Sequence, residues 1–140
     1  MVYADTSFLV STYIRDAHYA RVEGLLKLVE RIFLTPLHEA EWAHAIAQHV
    51  FRGYMSENDA AELSRQFQDD RKAGIWAEVA LPENAFELCV DLARKYGPKL
   101  GIRTLDSLHV ACALELKAER FWTFEDRQAK LAKTQGLKTA

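Results

Sequence analysis

Short apolar runs alternate along this chain with longer segments whose apolar residues recur every three or four positions. Val2-Tyr3-Ala4 is the first run, and it ends at Asp5-Thr6-Ser7. The pattern predicts a buried strand feeding a helix N-terminus. Phe8 to Ile14 predicts a short helix. His18 to Val29 places apolar residues at 22, 25, 26 and 29, one helical face. Arg31 to Thr35 is rich in β-formers and predicts the second strand. Pro36 suits a first helical turn, so a helix is expected to about Phe51, with Gly53 as its stop. Ser56 to Asp59 offers a cap for a polar helix reaching Lys72. Ala73-Gly74 breaks it, and Ile75 to Leu81 predicts a third strand. Pro82 opens a helix expected to end at Tyr96-Gly97-Pro98. From Leu105 to Leu114 large and small apolar residues predict a buried helix. Arg120 to Thr123 predicts a fourth strand, Glu125 to Thr134 a helix, and Leu137 to Thr139 a frayed fifth strand after Gly136.

Strands that alternate with helices imply an α/β fold with a mainly parallel sheet. The 140 residues suit one domain spanning 1–140. With 49% hydrophobic and 27% charged residues, the composition is that of an ordinary globular protein. The start of the chain has no basic lead and reaches an acid at position 5, unlike a signal peptide. No apolar run approaches the roughly 18 residues of a membrane span, so no membrane partner is expected, and the expected compartment is the cytoplasm. Cys89 and Cys112 belong to no paired-cysteine motif, so a zinc site is not expected. The net charge of −2 argues against a basic nucleic-acid coat protein. It does not argue against a nuclease, whose bound metal ions change the local charge.

Asp106 opens the apolar segment, where an unpaired charge would be expensive to desolvate. Three further acids occupy similar places. Asp5 closes the first strand, Glu41 lies in the helix after the second, and Glu125 follows the fourth. In open α/β sheets ligands bind at the carboxyl ends of the strands, and parallel strands would bring all four acids to that edge. Singly, Asp5, Asp106 and Glu125 also suit helix starts, where carboxylates cap N–H groups, and Glu41 suits a solvated helix face. Jointly they make a poor structural device. Two carboxylates ~4 Å apart repel by roughly 1 kcal/mol in water and about 4 kcal/mol at an effective dielectric constant of about 20. They would make a good cage for Mg²⁺ or Mn²⁺, which take oxygen ligands.

Tyr3-Ala4-Asp5-Thr6-Ser7, Thr35-Pro36-Leu37 through Glu41, Arg103-Thr104-Leu105-Asp106-Ser107-Leu108-His109-Val110-Ala111 and Phe121-Trp122-Thr123-Phe124-Glu125-Asp126-Arg127 together resemble the PIN-domain ribonucleases, most of all the VapC-like toxins of prokaryotic toxin–antitoxin pairs. The resemblance runs from residue 2 to about 137, and the Asp106 segment is its most specific part. It implies a three-layer α/β/α sandwich and metal-dependent hydrolysis of RNA phosphodiester bonds with Mg²⁺ or Mn²⁺. It also implies a cognate antitoxin and a homodimer. Carried over by position, Asp5, Glu41 and Asp106 match the family's three most regular acids. The fourth acid usually stands two positions after a threonine and is commonly Asp. Here Glu125 follows Thr123 at that spacing, with Asp126 as the fallback. Thr6, Ser7 and Thr123 are candidates for positioning water or phosphate oxygens, or for capping and strand-end hydrogen bonds. Arg103 belongs with Arg94, Lys95 and Lys99 to a basic stretch that suits either a solvated helix end or phosphate steering.

Other chemistries are less well served. Glu41/His44 and Asp106/His109 share a carboxylate-x-x-His spacing found in di-iron helical proteins, but Pro36, Gly53, Pro82 and Gly97-Pro98 interrupt the chain too often for long helices. In the nuclease reading His109 is a core or supporting histidine. His38-Glu39 starts like a zinc-protease motif, but position 42 is Trp. There is no glycine-rich phosphate loop. Trp42, Trp76 and Trp122 lie in apolar patterns and are expected in the core rather than stacked on bases. An RNA-processing nuclease that is not a toxin remains the alternative within the family.

Overall fold

The structure, a computed structural model, describes residues 1–29 and 31–140. Strand β1 (Val2–Ala4) leads into α1 (Thr6–Tyr13) and α2 (Tyr19–Leu26). Strand β2 (Phe33–Leu34) is followed by α3 (Pro36–Phe51) and α4 (Glu57–Lys72). Then come β3 (Ala77–Glu78), α5 (Ala85–Leu100), α6 (Thr104–Glu115), β4 (Arg120–Trp122), α7 (Asp126–Thr134) and β5 (Lys138–Thr139).

All strand pairings are parallel. β1, β4 and β5 form one ladder and β2 and β3 another, and a parallel bridge from Val2 to Ile32 joins the two. The resulting order is β3-β2-β1-β4-β5. The chain runs outward in one direction from β1 to β3, then crosses back to place β4 on the other side of β1. The carboxyl ends of β1 and β4 are therefore the switch point, where a crevice opens between loops that leave in opposite directions.

Side chains alternate across the sheet, as the pleat requires. Tyr3, Phe33 and Phe121 pack with Cys89, Leu92, Val110 and Leu131 of α5 to α7. Val2, Ala4, Ile32, Leu34 and Trp122 pack with Phe8, Val22, Trp42, Ile46 and Phe67 of α1 to α4. This is the expected three-layer α/β/α sandwich. Helix α6 is buried without a break from Ser107 to Ala113, which is why its sequence shows little amphipathic contrast. Trp42, Trp76 and Trp122 are core residues, and both cysteines are buried thiols. No helix among the described residues is long and apolar enough to cross a membrane.

Several boundaries differ from the sequence pattern. Helix α1 starts at Thr6 rather than Phe8, because the Asp5 carboxylate caps it by accepting from the Phe8 backbone N–H. The third strand pairs only at Ala77 and Glu78, because the short β2 offers only Phe33 and Leu34 as partners. Helix α5 begins at Ala85, three residues after Pro82, and does not stop at Gly97-Pro98. Pro98 falls in its last turn, where the missing N–H removes one bond near the end of the ladder. Gly101 ends the helix in the left-handed conformation (φ 61°) and donates to the Gly97 carbonyl. Residue 125 precedes α7 as its N-cap rather than lying inside it.

Candidate functional site

At the switch point β1 and β4 are held together beyond their last paired residues. The Asp5 N–H donates to the Trp122 carbonyl at 3.0 Å. The Asp5 side chain is 5% exposed and accepts three hydrogen bonds. Oδ1 receives the Ser7 hydroxyl at 2.7 Å and the Phe8 N–H at 3.1 Å, and Oδ2 lies 2.9 Å from the Thr123 hydroxyl. Burial pushes the Asp5 pKa up; the imidazole of His109 and the surrounding donors offset that only in part.

The proton count around Thr123 explains the tension. Its Oγ1 accepts from the Glu125 N–H at 3.0 Å and faces two acceptors, Asp5 Oδ2 and, at 2.6 Å, Gln128 Oε1. The Gln128 amide cannot turn round, because its Nε2 donates to the Asp106 carbonyl at 3.1 Å. One hydroxyl proton therefore serves two acceptors. The count closes when Asp5 binds a proton, or when a cation takes Oδ2.

Glu41 is in the opposite situation. It is half-buried on α3 and accepts from the Thr6 hydroxyl at 2.8 Å and from His109 Nε2. Burial alone would raise its pKa, but the hydrogen bond and charge of His109, with Thr6, outweigh it and hold the carboxyl below its ordinary range. His109 is fixed from behind by the Tyr3 hydroxyl, 2.8 Å from Nδ1. Burial raises the Tyr3 pKa well above its ordinary value, so that phenol is neutral. The ring is thus pinned between the phenol at Nδ1 and the Glu41 carboxylate at Nε2. Next to it, His38 accepts the Thr35 N–H at Nδ1 (3.0 Å) and gives Nε2–H to the Ala4 carbonyl (2.7 Å). Burial lowers the His38 pKa to about 3, so this imidazole is a neutral strut between the ends of β2 and β1.

Asp106 differs from its sequence-based picture. Its side chain is 25% exposed and pairs with Arg103 Nε at 3.3 Å, one helical turn back. The desolvated acid of this edge is Asp5. Glu125 is exposed and lines an open groove of about 400 Å³ with Thr6, Ser7 and Glu41, whereas Asp126 sits on the exposed first turn of α7. Thr6 and Thr123 are buried hydrogen-bonding hydroxyls, and Ser7 is exposed and serves Asp5. His44 bonds to the Ala40 carbonyl of its own helix, away from any acid–imidazole pair.

Sequence reasoning missed Gln128, fully buried on the same stripe as Leu131 and Ala132. A polar residue on that apolar stripe was the available signal. It also missed that Tyr3 and His109 form one chain to Glu41, because residues so far apart in sequence carry no local mark of meeting.

Among the described residues, no three acidic, histidine or cysteine side chains stand close enough to hold a metal ion as they are placed. The donor set nonetheless suits one by its chemistry. It consists of hard carboxylate oxygens at one sheet edge, one of them desolvated and short of a donor. As placed, Glu41 is bonded to His109 and Asp106 to Arg103.

Among known structures the chain is similar to VapC20 of Mycobacterium tuberculosis, described as a sarcin-ricin loop cleaving toxin, with a TM-score of 0.70, 11% identity and coverage of 93% of this chain and 94% of that one. It is similar to FitAcB from Neisseria gonorrhoeae, with a TM-score of 0.71, 15% identity and coverage of 99% and 96%. A third is VapBC2 from Rickettsia felis, bound to a DNA fragment from their promoter, with a TM-score of 0.66, 17% identity and coverage of 100% and 98%. No curated protein matches the sequence significantly. The profile of the PIN domain matches residues 2–134, nearly the whole chain. This chain belongs to the PIN domain family.

Proposed function

We propose that this protein is a metal-dependent endoribonuclease that hydrolyses RNA phosphodiester bonds, and the toxin of a type II toxin–antitoxin pair. The observation that carries the reading is the switch point. Asp5 directly follows β1 and Glu125 stands three residues after β4, the parallel neighbour of β1, while Thr6 bonds to Glu41 and Gln128 to the Asp106 carbonyl at the start of α6; this supports the reading. Family membership and the likeness to VapC20, FitAcB and VapBC2 support the nuclease and antitoxin parts of the reading. In it, residues 1–140 form one PIN-like domain that acts in the cytoplasm and pairs as a homodimer.

Asp5 and Asp106 would hold the main Mg²⁺ or Mn²⁺ ion, and Glu41 and Glu125 would complete the site directly or through water. Such an ion acidifies a bound water and braces a phosphate oxygen. The chain supplies the rest. The hydroxyls of Thr6, Ser7 and Thr123 orient the carboxylates, Gln128 holds Thr123, and Arg103 steers phosphate when released from Asp106. His109 keeps Glu41 ionised and aimed from α3 into the groove.

The test is cleavage of RNA by the purified chain with Mg²⁺, Mn²⁺ or EDTA, beside Asp106→Asn. Metal-dependent cleavage that the variant loses is expected. Cleavage in EDTA, or full activity in the variant, overturns the mechanism. Induced expression separates the toxin from an RNA-processing relative: growth arrest that Asp106→Asn abolishes supports the toxin, and unaffected growth overturns it.

A further inference from the structure

Beside the acids, the groove has an aromatic wall that the proposed mechanism does not use. Phe8 of α1, Phe124 of the β4–α7 loop and His18 at the start of α2 form a column of nearly parallel rings. Phe8 and Phe124 are 5.9 Å apart at 18°, and Phe124 and His18 are 4.0 Å apart at 7°. Phe8 is buried in the core and Phe124 is half-buried, while His18 is exposed. Both His18 and Phe124 line the groove that contains Glu41 and Glu125. The column is thus anchored at its inner end and open at its outer one.

The turn that carries the outer ring is held in place. Asp16 accepts the His18 N–H at 2.8 Å and the Ser11 hydroxyl at 2.7 Å, clasping the α1–α2 turn to α1. The Arg21 guanidinium lies 5.7 Å from the Phe124 ring centre and brings a positive charge to the same wall. A hydrophobic column needed only for packing would end in an apolar residue under cover. Here it ends in an exposed imidazole, carried on a turn fixed by Asp16, stacked on Phe124 and flanked by a cation, on the rim of a groove of about 400 Å³. That volume is ordinary for a ligand site.

We infer that His18 and Phe124 form a stacking platform for one unpaired nucleobase of the RNA strand, next to the scissile phosphate, with Arg21 beside the strand's backbone. The inference rests on the nuclease reading of the groove and deepens it, since it requires single-stranded or looped RNA. A π-face accepts any base and favours one not engaged in a duplex.

The experiment uses the full chain carrying Asp106→Asn with Mg²⁺, so that the strand survives, and a short single-stranded RNA with 2-aminopurine placed at successive positions. Quenching is expected at one position. His18→Ala is expected to weaken binding about tenfold and to remove that quenching, and His18→Trp to restore both. On a strand made abasic at that position, the parent and His18→Ala should bind alike. An unquenched probe, unchanged binding by His18→Ala, or an equal loss on the abasic strand overturns the platform. The nuclease reading is judged separately. If the wild-type chain cuts no RNA with either ion while the quenching persists, the platform stands and the nuclease falls.

Discussion

Asp5 and Glu41 occupy the same sheet edge and have opposite electrostatic characters. Asp5 is the more deeply buried, and burial pushes its carboxyl up in pKa despite the donors around it; it also shares the one Thr123 hydroxyl proton with Gln128. Glu41 is better solvated and receives two donors of its own, Thr6 and His109, so it is held down. Burial acts on both in the same direction; it prevails at the deeply buried Asp5, and the His109 contact, together with Thr6, prevails at the half-buried Glu41. One corner of the edge thus shares a donor with a neighbour, and the other has its donors to itself.

The contrast can be broken most strongly through activity. Asp5→Asn or Asp106→Asn should lower RNA cleavage by about 100- to 1,000-fold, the size of losing one preorganised charge at a reacting phosphate. Near-normal rates in either variant would remove the cation from the corner that shares its donor. Next in size, His109→Ala should destabilise the fold by about 2 kcal/mol in denaturant melts, since it opens a cavity and leaves the Tyr3 hydroxyl and Glu41 short of a partner. It should also bring the Glu41 pKa back up.

A smaller effect distinguishes the corners by sign. In EDTA at neutral pH, Asp5→Asn should stabilise the protein by on the order of 1 kcal/mol, or about 2–4 °C in melting temperature. The amide keeps the Oδ1 bonds and can donate to Thr123, whose own proton then goes to Gln128. Because the Asp5 pKa is raised, its contribution is fully present below its ordinary value and is lost as pH rises through the raised one. The gap between variant and wild type should therefore widen with pH. For Glu41, with a lowered pKa, the contribution is present above its ordinary value and lost as pH falls through the lowered one. The wild-type advantage over Glu41→Gln should therefore shrink on acidification. With rising pH the wild type should therefore lose ground to Asp5→Asn and gain it over Glu41→Gln; a shift of the same sign at both sites would mean that the two corners do not differ as described. The smallest effect is Arg103→Ala, an exposed pair whose loss should change stability by less than about 1 kcal/mol. It should weaken RNA binding and reduce its salt dependence.

Much of the fold was legible because it follows local period. Val2-Tyr3-Ala4 and Phe121-Trp122 show the apolar runs of a doubly covered sheet, and Ser107 to Ala113, apolar but for Ser107 and His109, shows the pattern of an enclosed helix. Pro98 misleads because a proline in a last turn removes little, and Ile75 to Leu81 misleads because strand length depends on the partner. At the site, the positions of Asp5, Glu41, Asp106 and Glu125 after strands or on the following helices could be read from the chain. Their partners could not. Asp106 looks isolated in the sequence because its neighbours are apolar, yet helical periodicity already places Arg103 one turn behind it. The shortage at Asp5 depends on Gln128 and Thr123, whose side chains meet through the fold, and no one-dimensional pattern counts protons.

The pairing of Val2–Ala4 with Arg120–Trp122 has a consequence for synthesis. The first strand leaves the ribosome with its neighbour on one side still more than a hundred residues from being made, and Asp5 must wait for Thr123. Until Arg120–Trp122 emerges there is no second wall to the crevice. A chain that stops short of β4 lacks both the parallel partner of β1 and the Thr123 hydroxyl that faces Asp5, so the first three strands alone do not make the crevice.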